Sequence, residues 1–509
     1  MERHIGIWNV EKEAEKYEAG ELIIEGNRIE FYSRFPIGMF PTTYIGVDGN
    51  MSYKVFANGA AKASNRKTLD YSYSHRVFFV LMQNYQFSKE YEINGIKEIS
   101  FEIPELIRWL GIKTVSYAST EQGDPGAMEL KLPTIVLKEK NPHIEIFMES
   151  KTFNSTIMEC GDNTTITIKK NPRISITYDN TQDINTVLFD IECIMQFFGL
   201  LIGSVSDVED IRLSIENQKG KSRLYINRDF SYNLRARSIF DSPRTYYYVL
   251  KDNLINYYMS WRKFCEDDTY SLLRRVYFSA NDRKDIFAEQ VFVEYMRFLD
   301  GYHTRISGDE QTKKKINNSL KECTASIKKL LFNEEGKALF EETMKKADPE
   351  WKCNSEHIGQ IAGWIAAGYL GKTQLSCRLM DLDKKYLSII SNNAFDIERN
   401  ARSIYKSEGK TDEDLIQTYF KELGDTRNYY SHYKLDKSGV FDMWQINLSI
   451  NVLKATIITI LYSHMHIDME LIRRIIEFDA ELQDQTMFLR KKGEFPFTHP
   501  SKLDEDAID

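Results

Sequence analysis

The sequence predicts an α+β fold, a β-rich first half followed by an all-α second half. Three observations carry this. Short runs of β-branched and aromatic residues, bounded by turn dipeptides, fill roughly the first 235 residues, whereas apolar residues recur at helical spacing from about residue 245. Strand signals nearly vanish after that change of period. A chain of 509 residues also exceeds what one hydrophobic core usually serves, so at least two domains are expected. The period change sets them at 1–240 (β-rich) and 245–485 (helical), with 490–509 as a polar, Pro-containing tail.

In the first half, Leu22-Ile23-Ile24, Ile29-Glu30-Phe31, Val77-Phe78-Phe79-Val80-Leu81, Ile144-Glu145-Ile146-Phe147 and Thr165-Ile166-Thr167-Ile168 read as strands. Asp48-Gly49 and Asn94-Gly95 are hairpin-type dipeptides, because Gly takes up the positive φ that tight turns require. Lys169-Lys170-Asn171-Pro172-Arg173 is expected to join Ile166/Ile168 to Ile174/Ile176 as the two arms of a hairpin. One helix interrupts the strands, with Leu188, Ile191, Met195 and Phe198 on one face and Gly199 at its end.

In the second half, Val291, Tyr295, Phe298 and Tyr302 form one helical stripe, and Ile327, Leu330 and Leu331 belong to another. Further helices are expected over 358–369, 375–390, 412–432 and 444–464. Trp261, Trp364 and Trp444 fall within helical apolar patterns, so each is expected in the core.

Composition narrows the function. Apolar residues make up 42% and charged residues 28%, as in a soluble globular protein. A net charge of -8 argues against coating nucleic acid by bulk electrostatics but leaves room for a local basic site. The 6 cysteines are scattered and form no Cys-x-x-Cys pair, so neither a zinc site nor a disulfide framework is implied. The first residues lack the basic and apolar blocks of a secretion signal, and the apolar run from Ala455 to Tyr462 is too short to span a bilayer. A reducing cytoplasm and no membrane partner are expected.

Arg427-Asn428-Tyr429-Tyr430-Ser431-His432 carries the strongest chemical signal. Arg is a permanent cation that grips phosphate bidentately, and His titrates near neutrality and moves protons. RNA brings its own nucleophile in the 2'-hydroxyl, so cleavage needs a proton acceptor, charge stabilisation and in-line geometry. Arg427, Asn428 and His432 are therefore the candidate catalytic residues, with RNA as partner and neither metal nor cofactor required. Thr411-Asp412-Glu413-Asp414 reads as an N-cap, and Leu415, Ile416, Tyr419, Phe420 and Leu423 follow at helical spacing, which puts the motif at the far end of an amphipathic helix. On a straight helix Arg427 and His432 would stand roughly 140° apart. Either the helix ends or distorts there, or two chains share one site. Asp436-Lys437-Ser438-Gly439 signals a turn and favours a helix end near His432.

Other signals are weaker. Gly371-Lys372-Thr373 resembles the end of a phosphate-binding loop, but Ala366 stands where the required glycine would be. His464 and His466 are two apart, point in different directions on a helix and lack a third ligand, so they read as helix-end residues. Lys313-Lys314-Lys315 with Lys328-Lys329 offers a basic face that is more often a solvated helix surface.

The Arg427 to His432 string on an α-helical domain resembles the HEPN superfamily, whose ribonucleases carry Arg-x4-6-His with a polar residue, often Asn, after the Arg. Gly6-Ile7-Trp8, Gly20-Glu21-Leu22, Trp109-Leu110-Gly111 and Phe197-Phe198-Gly199-Leu200-Leu201 are similar to features of the ApeA-like anti-phage defence proteins, as is Cys377-Arg378-Leu379 ahead of Asp381-Leu382. The resemblance implies that His432 moves the proton at the 2'-hydroxyl, Arg427 holds the phosphate and Asn428 orients the pair. It also implies a homodimer or higher homo-oligomer, RNA (transfer RNA among the candidates) as substrate, a phage-derived trigger sensed by the N-terminal domain, and abortive infection as the output. Asp300-Gly301-Tyr302-His303 departs from the family pattern, which tends to Glu before a small or aromatic residue and His; Asp300 then reads as a cap or a bridge between helices. The alternative reading is a HEPN-fold module that binds RNA or a protein without catalysis.

Overall fold

The structure, a computed structural model, describes residues 1–10, 17–26, 28–34, 41–62, 73–83, 95–111, 116–119, 125–129, 134–152, 168–203, 208–218, 220–227, 242–282, 286–306, 321–322, 324–329, 333–346, 349, 359, 362, 375–397, 411–432, 439–479 and 482. It divides into two compact units. The first takes in Met1–Asp267, Phe278–Ile286 and Leu461–Gln483, and the second Asp268–Tyr277 and Phe287–Ile460.

The first unit is built on strands β1 (Glu2–Val10), β2 (Tyr17–Glu25), β3 (Arg28–Ser33), β4 (Pro41–Asp48), β5 (Met51–Lys62), β6 (Tyr73–Gln83), β7 (Ile96–Glu102), β8 (Ser116–Ser119), β9 (Pro125–Glu129), β10 (Ile135–Lys138), β11 (His143–Thr152), β12 (Ile168–Gln182), β13 (Glu209–Ile215) and β14 (Lys221–Ile226). β8 and β9 pair only with each other. The other strands form one antiparallel sheet in the order β10-β11-β12-β7-β13-β14-β6-β3-β2-β1-β4-β5, and β5 also pairs with β6. That extra pairing closes the segment from β6 to β5 into a barrel of six strands, which removes its free edges. β6 shares its other edge: Tyr73, Ser74 and His75 pair with β3, and Phe79 to Met82 pair with β14.

Alternation along these strands turns Trp8, Leu22, Ile24, Phe31, Tyr53, Val55 and Val80 into the barrel core. Trp8 fits because two neighbours lack a side chain. A Cβ on Gly20 would come within 2.7 Å of the indole, and one on Gly46 within 2.3 Å. Buried among these groups, His75 shares hydrogen bonds with Ser33 Oγ (2.7 Å) and Tyr44 OH (3.1 Å). Burial pushes the His75 imidazole down to about 4 and the Tyr44 phenol up to about 12.

Beyond the barrel the sheet carries a buried ion network. Arg173 on β12 donates to Glu102 (2.7 Å), Glu149 (2.9 Å) and Asp210 (2.6 Å), and Arg212 donates to Glu149 and Asp210. The three carboxylates lie close enough to hold a metal ion, but two guanidiniums already use them. The hairpin expected around Pro172 is not formed, because Ile168–Gln182 is one strand. Pro172 opposes Met148 of β11, and pairing with β7 starts only at Arg173, so the proline lies where one edge is open and its missing N–H costs no ladder bond.

Helix α1 (Leu106–Leu110) ends at Gly111 in the left-handed conformation, with Trp109 buried against Phe198 and Tyr247. Helix α2 (Ile184–Ile202) opens on the Asp183 cap, which accepts from Thr186 N (2.8 Å). It runs through Gly199 to Ile202, three residues past the expected stop, and is capped by Gly203, where the positive φ (102°) occurs. α3 (Tyr247–Leu250) and α4 (Leu254–Glu266) follow, and Trp261 of α4 donates to Cys193 O (3.0 Å).

The second unit contains α5 (Ser271–Asp282) up to Tyr277, α6 (Ala288–Ile306), α7 (Glu334–Lys345), α8 (Leu375–Lys385), α9 (Ile389–Ile397), α10 (Asp412–His432) and α11 (Met443–His464) up to Ile460; α12 (Met469–Phe478) belongs with the first unit. The stripe Tyr295, Phe298 and Tyr302 is buried on α6, as its spacing predicts. α11 and α2 are long and apolar enough to cross a bilayer, which a search for an unbroken apolar run misses; in α11 most of that surface is core, Leu453, Ile457 and Ile458 included. Trp444 is the exception to its expected burial. It is 57% exposed, on the first turn of α11 before the buried stripe begins at Ile446. Gly371-Lys372-Thr373, Lys313-Lys314-Lys315, Trp364 and residues 490–509 lie outside the described residues.

Candidate functional site

Helix α10 starts as its sequence dictates. Thr411 Oγ1 accepts from Asp414 N (3.2 Å), and the Asp414 carboxylate accepts from Thr411 N (2.7 Å), a reciprocal cap that satisfies two backbone or side-chain donors at once. Leu415, Tyr419, Phe420 and Leu423 then form its buried face, with Tyr419 OH bonded to Ser449 on α11 (3.0 Å). Thr426, fully buried, accepts from Phe441 N (2.9 Å) and so fixes the start of the segment leading into α11.

The helix passes through the whole motif without a break and ends at His432. The distortion that would have aligned Arg427 with His432 does not occur within the described helix, and the turn expected at Asp436-Lys437-Ser438 lies outside the described residues. Arg427 Nη1 donates to Asn428 Oδ1 (3.0 Å), so these two neighbours are oriented together. His432 is exposed, and an unbroken helix carries it roughly 140° round from Arg427.

What lies against Arg427 comes from two other helices. α6, α8 and α10 pack against one another, and each supplies a charged group to the place where they meet. Asp300 of α6 pairs with Arg378 of α8 and lies 3.8 Å from Arg427. One turn along the same two helices, His303 Nε2 lies 3.3 Å from Asp381. Arg427 Nε and Ser431 Oγ, one turn apart on α10, are buried with no hydrogen-bond partner among the described residues. Tyr430, further along α10, stacks edge-on against Tyr429, and burial, with Glu289 and Tyr429 nearby, pushes its phenol up.

Arg427 and Asn428 thus sit together as the motif suggests, while His432 points elsewhere. Asp300 bridges helices, the role its departure from the family pattern suggests, and Arg378 is its partner. Both residues are visible in sequence only as polar positions beside apolar stripes; nothing in their spacing places them against Arg427. Ser431 has no sequence signal apart from lying four residues after Arg427, on the same helix face.

Residues 3–261 match the family model described as ApeA N-terminal domain 1, and residues 293–471 match the one described as Apea-like HEPN. The chain belongs to the ApeA family. No curated protein and no solved structure matches it. Family membership makes this ApeA-like chain a defence-related HEPN nuclease at the level of the family, HEPN domains being generally ribonucleases. The HEPN match contains Asp300, Arg378 and the complete Arg427 to His432 motif. The ApeA match contains the barrel, the extended sheet and most of α4.

Proposed function

We propose that this ApeA-like protein is a metal-independent endoribonuclease acting in anti-phage defence by abortive infection. The observation that carries the reading is Arg427, oriented with Asn428 at the end of α10, on the same helix as an exposed His432. His432 takes the proton from a 2'-hydroxyl, the freed oxygen attacks the adjacent phosphorus, and the bond to the departing 5'-oxygen breaks. The proton returns to that oxygen, leaving a 2',3'-cyclic phosphate and a 5'-hydroxyl. Arg427 stabilises the charge on the phosphorane, where a fixed guanidinium is most effective.

Because Arg427 and His432 diverge on one helix, the reading includes a homodimer in which the motifs of two chains share a substrate. It further includes a cytoplasmic location, RNA as partner with transfer RNA among the candidates, and a phage-derived trigger acting on the β-rich N-terminal domain. Incubation of purified wild-type and His432→Ala protein with total cellular RNA in excess EDTA tests it. Cleavage by the wild type alone is expected. Equal cleavage by both proteins removes His432 from the chemistry, and retention of RNA binding with no cleavage by either favours a non-catalytic HEPN-fold module.

A further inference from the structure

Arg427 is one of two cations that meet a single anion. The Asp300 carboxylate gives one oxygen to Arg378 and the other to Arg427, at 3.8 Å, so guanidiniums from different helices are held by one group. The side chains of Arg378, Asp300 and Arg427 are 25%, 25% and 22% exposed, which leaves the cluster open to a ligand from solvent. Arg427 Nε is buried and unpartnered among the described residues, as is Ser431 Oγ one turn further along α10. Buried polar atoms are nearly always paired. A guanidinium with an unpaired N–H, sharing one carboxylate with a second guanidinium, marks a site that an incoming anion completes. A phosphodiester has the right chemistry, since like a carboxylate it spreads one negative charge over two oxygens and is gripped by Arg in the same forked geometry.

We infer that Arg378 is a second phosphate-binding cation of the ribonuclease site, and that Asp300 occupies the phosphate's place, holding Arg378 and Arg427 until RNA displaces it. This rests on the ribonuclease reading above. The partly exposed ends of the Arg378 and Arg427 guanidiniums supply the donors that the phosphate oxygens use. The Asp300 carboxylate serves two purposes: it keeps two guanidiniums from repelling each other in the empty site, and it competes with weakly bound anions.

The test measures binding of full-length protein to a short random-sequence 2'-O-methyl RNA, which has no free 2'-hydroxyl and cannot be cleaved, across a series of salt concentrations. Arg378→Gln is expected to bind about tenfold more weakly, the loss of one charge-assisted contact. Its plot of log affinity against log salt should be shallower by about 0.7, the increment for one phosphate contact on a single strand. Arg378→Lys should keep the wild-type slope, and Asp300→Asn should bind several-fold more tightly than wild type. The double variant Asp300→Asn/Arg378→Gln removes both members of the closer ion pair, so no carboxylate is left facing a neutral partner, and it should show the same loss of slope. An unchanged slope in Arg378→Gln and in the double variant overturns the role of Arg378, even if wild type binds and cleaves unmodified RNA. Weaker binding by a folded Asp300→Asn protein overturns the role of Asp300. Failure of the wild type to bind or cleave RNA overturns the ribonuclease reading and this inference with it.

Discussion

Arg427 and His432 lie five positions apart on one unbroken helix, with Arg427 turned to Asp300 and His432 exposed at the helix end. One chain therefore presents the Arg427 guanidinium and the His432 imidazole in different directions. Arg427→Ala and His432→Ala are each expected to lower RNA cleavage by at least about a hundredfold, the usual contribution of a positioned acid or base. Mixing the two inactive proteins after subunit exchange should restore partial cleavage if two chains share a site. Light scattering should give the mass of a dimer; a fully active monomer would refute the shared site.

Arg173, buried at the junction of β7, β11, β12 and β13, neutralises Glu102 and shares Glu149 and Asp210 with Arg212. Arg173→Met should destabilise the first unit by about 3–5 kcal/mol, because Glu102 is left buried without a counter-ion. Urea unfolding measures this. Adding Glu102→Gln to the variant should recover part of the loss.

The His75 imidazole, held at about 4 by burial, gives the barrel a defined acid response. Between pH 6.5 and 4 the unfolded chain binds more protons than the folded one, so stability is fully present above pH 6.5 and falls as pH drops through that window. The loss at completion is on the order of 3 kcal/mol. Melting temperatures of the first unit across this range should fall in the wild type and change less in His75→Gln.

Gly46→Ala places a methyl group 2.3 Å from the Trp8 ring, too close for either to remain where it is. A loss of about 1–3 kcal/mol is expected from overpacking. Thermal melting of the single variant and of Trp8→Leu/Gly46→Ala checks the cause, since a smaller residue at position 8 should relieve part of the clash.

Much of this architecture is legible in the residues. The Thr411–Asp414 cap and the Leu415/Tyr419/Leu423 face follow from local chemistry, so the motif helix is placed correctly from sequence. Pro172 misleads because a proline reads as a turn, whereas an open edge beside β11 accepts it without cost. Gly199 misleads for a similar reason: a buried helix tolerates a glycine when its neighbours Phe198, Leu200 and Leu201 are fully packed. Trp444 shows the converse, an apolar residue within a helical pattern that lies on the exposed turn.

By itself the sequence determined the α+β class, the helix that carries the motif, and the identity of Arg427, Asn428 and His432 as the residues whose chemistry suits RNA cleavage. These follow from short-range rules: strand alternation, helical period, caps and side-chain acid–base character. Only the tertiary structure decided that the barrel closes through β5 and β6, and that Asp300 and Arg378 stand against Arg427. Both depend on contacts between residues far apart in the chain, where pairing is chosen by the packing of whole elements and leaves no periodic trace in the sequence.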